Sequence, residues 1–396
     1  MVETMLGGEK VIRTTVVFVQ YTDPARYPPL QHAAELLLRE GITPEFLAVE
    51  MGGIRFPEHL ATSVRYLMPV RQGWRNLLSF AWFHLCVLWR LLVLRRRGPI
   101  IVYGSDLLST PTLVVADLLG FPCIFHEHDA PACLNQPGRW ERVLLGLRRR
   151  AFARMLTVVP SRERLAATGG PKPGVGQVIE VWNCPRLEEV AESKPMREPS
   201  RSLLLYFHGS INDVLLPLSL LDVLSQAPES VSLEFAGYET IGSQGYVSMF
   251  TKRADALGLA RRARHLGVLG RRELLAACRR ADIGICLYGG ADIVDPNLRH
   301  IAKASNKPFD YLSQGLALCY DDTPQWRKLF DPHQLGWPID VKQPQTVARL
   351  LSELIAKPEL VQARGEHGRQ MLLRAWNYEQ QFAPVLAWIK ARGESA

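Results

Sequence analysis

The stretch Ser305-Asn306-Lys307-Pro308-Phe309-Asp310-Tyr311-Leu312-Ser313-Gln314-Gly315 decides how the rest of this chain is read. An apolar run at 282–288 and a long polar loop precede it, and a second apolar run at 317–320 follows. Strand, short helix and strand in that order outline a parallel sheet with a helix at its carboxyl edge. Ser305 or Asn306 is expected to cap the helix, Pro308 to fit its first turn and Gly315 to end it. Free N–H groups at the helix start, with Lys307 beside them, make a place to hold a phosphate. Asp310, one turn in, is an acceptor-only group suited to a ribose diol; taken alone, it equally fits an acid that complements the helix dipole.

The same alternation runs outward in both directions. Strands are expected at 16–20, 45–49, 99–103, 123–126, 155–159 and 178–181, with helices at 30–40, 110–119 and 140–153 and a long apolar helix ahead of 99. Residues 186–201 are charged and proline-containing with no apolar period, which suits a linker. Strands then recur at 203–207, 231–236, 263–266, 282–288 and 317–320, with helices at 214–225, 248–257, 271–280, 346–356, 359–376 and 378–389. The expected class is α/β, with two Rossmann-like parallel-sheet domains facing a cleft. Residues 11–190 form the first domain, 200–375 the second, and 376–396 a C-terminal helix crossing back onto the first. Ligands of such sheets bind beyond the carboxyl ends of the strands.

With 396 residues, 47% hydrophobic and 22% charged, the composition is that of an ordinary globular protein of two domains. The formal net charge is +8, and residues 1–195 carry 23 Lys and Arg against 18 Asp and Glu. The clusters Arg95-Arg96-Arg97 and Arg148-Arg149-Arg150 with Arg154 come without any zinc-finger spacing or aromatic RNP-like run, so nucleic acid is not expected as a partner. Anionic lipid headgroups or phosphorylated substrates fit them, as does the plainer reading of helix C-terminal charges on a solvated face. Seven cysteines, scattered and never in a CxxC pair, match neither a disulfide framework nor a metal site and suit a reducing cytoplasm. The N-terminus to Thr15 shows no signal-peptide pattern. Residues 77–94 are long enough to span a bilayer, but His84 and Arg90 interrupt them, so a buried or interfacial helix is expected.

On these residues the chain resembles the GT-B glycosyltransferases, in particular their family 4. Phe125-His126-Glu127-His128-Asp129 resembles that group's strand-end histidine motif, and Val159-Pro160-Ser161 with Leu165 its following strand and helix. Asn183-Cys184-Pro185 resembles the close of its first domain, and Tyr206-Phe207-His208-Gly209-Ser210 the glycine turn that opens the second. Leu233–Gly237, then 265–283, follow in order, and Asn306-Lys307-Pro308-Phe309-Asp310-Tyr311 resembles the family's N-K-x-x-E-Y element.

The resemblance implies transfer of a sugar, with retention, from a nucleotide-diphosphate donor, a UDP or GDP sugar, to a hydroxyl acceptor. The implied acceptor is a saccharide or lipid-linked precursor in cell-surface polysaccharide or glycoconjugate synthesis. No tightly bound cofactor and no metal are implied. His128 would face the sugar, with Asp129 and Glu127 as secondary catalytic candidates; a loop network that merely holds the strand end is the plain alternative. Gly209, Ser210, Asn306 and Lys307 would hold phosphates, the backbone near Leu269 and Arg271 the base, and Asp310 the ribose. The chain departs from the pattern in places. No cation stands in 211–216, so either Lys307, Lys303 or Arg299 supplies the charge or the phosphate site is weak; Ala302 replaces the first of two glutamates eight apart; and 21–29, expected to line the acceptor side, stands where relatives carry a Gly-Gly loop. Gly169-Gly170-Pro171-Lys172-Pro173-Gly174 lacks a phosphate-loop ending and reads as a turn. The expected location is the cytoplasm, peripheral to the inner face of a membrane. A nucleotide-sugar epimerase or hydrolase on the same fold, or a non-catalytic binding module, is the alternative function.

Overall fold

The computed structural model describes residues 13–51, 56–69, 74–171, 174–194 and 202–394. Residues 1–12, Lys172 and Pro173 of the glycine-rich turn, and 195–201 of the expected linker lie outside the described residues. The chain divides into two compact units, one reaching to Trp182 and resuming at Gln381, the other Asn183–Gln380.

The first unit contains β1 (Thr15–Gln20), α1 (Pro28–Arg39), β2 (Thr43–Glu50), β3 (Val64–Pro69), α2 (Trp74–Arg95), β4 (Ile100–Ser105), α3 (Thr110–Leu118), β5 (Cys123–His126), α4 (Arg139–Arg154), β6 (Leu156–Val159), α5 (Arg162–Ala167) and β7 (Gln177–Glu180). The strands form one parallel sheet ordered β3-β2-β1-β4-β5-β6-β7. Its central strands are apolar on both faces because helices cover both, so β1 and β4 read as continuous runs and not as alternation. Val17, Val19, Leu47 and Val102 meet Phe83, Val87 and Leu91 of α2, Leu113 of α3 and Phe152 of α4 in one buried core. The opposite face begins with Phe18 stacked on Phe46 at 4.5 Å, beside Tyr103.

The second unit contains β8 (Leu203–Ile211), α6 (Ser219–Gln226), β9 (Val231–Glu239), α7 (Tyr246–Ala256), β10 (Ala263–His265), α8 (Arg271–Arg280), β11 (Ile283–Cys286), α9 (Pro296–Arg299), α10 (Asn306–Ser313), β12 (Ala317–Asp321), α11 (Pro324–Phe330), β13 (Gly336–Ile339), α12 (Pro344–Ile355) and α13 (Pro358–Arg374). The parallel order is β10-β9-β8-β11-β12-β13. A last helix, α14 (Tyr378–Glu394), starts in this unit and ends in the first.

The structure departs from the sequence expectation in three places. β3 and β13 were not expected; both are edge strands, where an arginine (Arg65) and a proline (Pro338) are tolerated and the apolar signal is weak. The described part of the charged stretch from 186 onward is no linker: Ala191 N–H donates to Ser313 O at 3.0 Å and Lys194 Nζ to Ala281 O at 2.6 Å, which fastens it to the second unit. Nor is Arg148 on a solvated face; it is 2% exposed and paired inside the first unit.

Candidate functional site

In both sheets the strand order reverses once, between β1 and β4 and between β8 and β11. The helices on either side of such a reversal diverge, which leaves a crevice past the carboxyl ends of those strands.

In the second unit that crevice is built around α10. Gly284 of β11 lets the helix lie close, since a Cβ there would fall 2.2 Å from the Tyr311 ring; the Tyr311 hydroxyl then accepts from His208 N–H at 3.0 Å. Ser305 occupies the N-cap position but does not cap, because its hydroxyl hydrogen-bonds to the Tyr288 hydroxyl instead. Asn306 opens the helix, Pro308 sits in its first turn and Gly315 follows its end with φ +74°. Lys307 leans over β8. A Cβ on Gly209 (φ +118°) would lie 2.7 Å from Lys307 Cε and 3.3 Å from Nζ, so only glycine admits this approach. The ammonium lies over the rings of Phe207 and Tyr288 at 5.5 and 5.1 Å and has no carboxylate partner among the described residues. Burial lowers its pKa to about 8.

Two expectations for this site change. Gly209 and Ser210 do not form a turn after the strand; β8 continues through both, with Gly209 opposite Gly237 and Ser210 opposite Tyr238. Both residues thus lie in a strand paired with β9, and not in a turn. Asp310 is 1% exposed, and its two oxygens accept from Arg271 at 2.7 and 2.8 Å, with His208 Nε2 3.3 Å from Oδ2. Burial would raise its pKa, but Arg271 and His208 hold the carboxyl well below the usual range. Asp310 thus anchors Arg271, which opens α8 and also pairs with Glu189 at 2.7 Å, and offers no open oxygen to a ribose. Leu269 lies half-buried in the loop between β10 and α8. Tyr288 and His208 escaped the sequence reading. Only their place within β8 and just past β11, the strands flanking the reversal, marks them.

In the first unit, Val19 pairs with Gly104 and Ser105 with His126, so Gln20, Ser105 and His126 end β1, β4 and β5 side by side on one face. The Gln20 amide, Ser105 Oγ, His126 Nε2 and His128 Nε2 are all buried without a hydrogen-bond partner. Buried polar groups left unpaired in one row point to a polar guest or ordered water at that edge. The His126 and His128 rings lie 3.7 Å apart, Tyr103 Oη is 2.8 Å from His126 Nδ1, and the Tyr27 ring is 5.1 Å from His128. Burial, aided by the Arg164 charge, lowers the His128 pKa to about 3, so it is a neutral imidazole at neutral pH. Asp106 holds it: this residue, at φ +58°, accepts from His128 N–H at 2.8 Å, and burial pushes its pKa up to about 8. Nothing in the sequence distinguished Gln20, Ser105 or Asp106.

Glu127 and Asp129 separate from His128. Glu127 forms a buried two-pronged pair with Arg148, 2.5 and 2.6 Å. Asp129, 71% exposed at its side chain, pairs with Arg164 at 2.9 Å, and Arg164 also donates to His128 O. Both Glu127 oxygens are thus engaged by Arg148, and the residue is 4% exposed. Among the described residues, no group of three His, Cys, Asp or Glu is placed to hold a metal ion.

Residues 221–387, somewhat under half of the chain, match a protein family described as glycosyl transferase-like. No curated protein matches the chain in sequence. Solved structures do share its fold. HepE of Anabaena, in complex with UDP and glucose, superposes with a TM-score of 0.68 at 15% identity over 95% of this chain and 99% of its own. Sucrose-phosphate synthase of Thermosynechococcus elongatus gives 0.71 at 12% identity over 97% and 100%. WaaG, a glycosyltransferase involved in lipopolysaccharide biosynthesis, gives 0.59 at 13% identity over 94% and 98%. The fold is GT-B, as the resemblance implied.

Proposed function

We propose that this protein is a glycosyltransferase that moves a sugar from a nucleotide-diphosphate donor to a hydroxyl acceptor. The observation that carries the proposal is Lys307: a cation without a carboxylate partner, over two aromatic faces at a helix start beside the backbone of Gly209. Such an ammonium is already desolvated and placed, so a diphosphate arriving there gains a charge-assisted contact at little cost in order. The same charge, with the N–H groups opening α10, would stabilise the diphosphate as it leaves the sugar.

The second unit is then the donor side, with the base against the loop at Leu269 and the diphosphate at Lys307, Asn306 and Ser210. Asp310 acts through Arg271 and not on the ribose directly. The first unit receives hydroxyls: Gln20, Ser105 and neutral His128 offer both donors and acceptors and no charge, which suits a saccharide. Family 4 membership and retention rest on the motif resemblance. A UDP sugar is favoured over a GDP sugar because a structural neighbour, HepE, is seen with UDP-glucose. All seven cysteines are free thiols, which supports a cytoplasmic location. A saccharide or lipid-linked acceptor, in polysaccharide or glycoconjugate synthesis, fits the basic first unit.

Calorimetry with UDP, GDP and ADP tests the reading. Binding of one nucleoside diphosphate is expected, with Lys307→Ala weakening it about 10- to 100-fold. No binding to any of the three would sink the enzyme assignment in favour of a non-catalytic module. Release of free sugar or an epimer without an acceptor would favour the hydrolase or epimerase instead.

A further inference from the structure

Ten of the 22 exposed large apolar side chains among the described residues lie on three helices of the first unit, α2, α3 and α4. These helices pack side by side over one face of the sheet and share its core, so their outer sides form one surface. On α2, Leu78, Trp82, Leu85 and Trp89 are 63, 61, 59 and 66% exposed, and Leu92 continues the same line. Their spacing of four, three, four and three residues is a single stripe along a helix about 33 Å long. The inward side of α2 is equally apolar, through Phe83, Val87, Leu91 and Leu94. A helix apolar on all sides is normally enclosed; only a third of this one is. Trp140 and Val143 of α4 and Leu118 at the end of α3 extend the surface.

Charge says what covers it. The stretch 74–97 contains no acidic residue. Arg96 and Arg97 follow α2 directly, and Arg139, Arg142, Arg149 and Arg150 are exposed on α4; none of the six has an ion-pair partner among the described residues. Arg95, by contrast, is tied to Leu119 O, and Arg154 to Asp117. A second copy of the chain would bring the same arginines against themselves. An anionic bilayer surface satisfies both the stripe and the arginines.

We propose that the α2 face docks this protein on an anionic membrane surface, with the helix lying in the headgroup plane. Although α2 is long and apolar enough to cross a bilayer, it is the crossover between β3 and β4 and carries part of the sheet's core, so it stays with its unit. The inference does not depend on glycosyl transfer.

Flotation of the full chain with vesicles tests it, comparing phosphatidylcholine alone with an equimolar mixture with phosphatidylglycerol. Binding to the anionic vesicles, weakened by salt, is expected. Leu85→Glu with Trp89→Glu should cut binding at least ten-fold while thermal unfolding and nucleotide affinity stay unchanged. Arg96→Glu and Arg97→Glu should each cost about five-fold. No binding of the wild-type chain to either vesicle overturns the proposal. So does a dimer in light scattering that Leu85→Glu dissociates while the wild type ignores vesicles, which would make a second copy the occupant.

Discussion

The two sheets reverse their strand order in the same way, yet the crevices that result are chemically opposite. In the second unit it holds a cation, Lys307, above bare glycine backbone and two aromatic rings. In the first it holds neutral groups, two uncharged histidines and the orphaned amide and hydroxyl of Gln20 and Ser105. One topology thus places two sites, and side chains at the strand ends decide what each accepts. A cation without a carboxylate partner selects an anion, whereas unpaired neutral donors and acceptors select hydroxyls. Each unit also carries a buried carboxylate–arginine pair, Glu127 with Arg148 and Asp310 with Arg271, next to its crevice. These pairs hold the walls and take no part in the contrast between them.

The contrast can be broken most sharply through the first pair. Arg148→Met leaves Glu127 buried and uncompensated and should cost about 3–5 kcal/mol of first-unit stability. Urea unfolding should show an earlier first transition, while nucleotide affinity in the second unit holds. Loss of both together would mean the units do not behave separately. The Lys307 site is sharpened by pH. Its free-state pKa near 8 means that affinity for a nucleoside diphosphate should fall as pH rises through about 8, approaching ten-fold for each further unit until the lysine's contribution is gone. Lys307→Arg should flatten that fall in a calorimetric series; an identical slope would place the titration elsewhere.

His128 gives the first unit a different pH signature. Its folded pKa near 3 lies below the unfolded 6.5, so between those values the unfolded chain binds more protons. The stability of the neutral form is complete above pH 6.5 and is lost as pH falls toward 3. The first unit's melting temperature should therefore drop on acidification, and His128→Gln should reduce the slope. The smallest expected effect is also the most diagnostic of function. Gln20→Leu replaces an unpaired buried amide with an apolar group of similar size, so melting should stay within about 1 kcal/mol of wild type or improve. Sugar transfer should nonetheless fall. Unchanged transfer would make the polar row a water pocket and not a site.

Much of this was legible beforehand, and the failures have a pattern. The strand–helix–strand around Lys307 was readable because the N-cap position, proline and terminal glycine lie within eleven residues, where local geometry acts. Edge strands β3 and β13 were missed because a strand paired on one side tolerates Arg65 and Pro338, which blur the apolar run. His128 was found through its motif, but the motif could not separate it from Glu127 and Asp129. Adjacent residues leave a strand end in opposite directions, and only packing shows that both acids meet arginines while the imidazole between them stays unpaired at Nε2.

By itself the sequence determined the α/β alternation, the existence of two sheets and the position of Lys307 at a helix start, since each depends on neighbours a few residues apart. Tertiary structure alone decided which charges are spent and which remain. Arg271 reaches Asp310 across 39 residues, Arg148 reaches Glu127 across 21, and Gln20 meets Ser105 through strand register. Whether a buried polar group is paired depends on distant segments arriving together, and no local spacing encodes that.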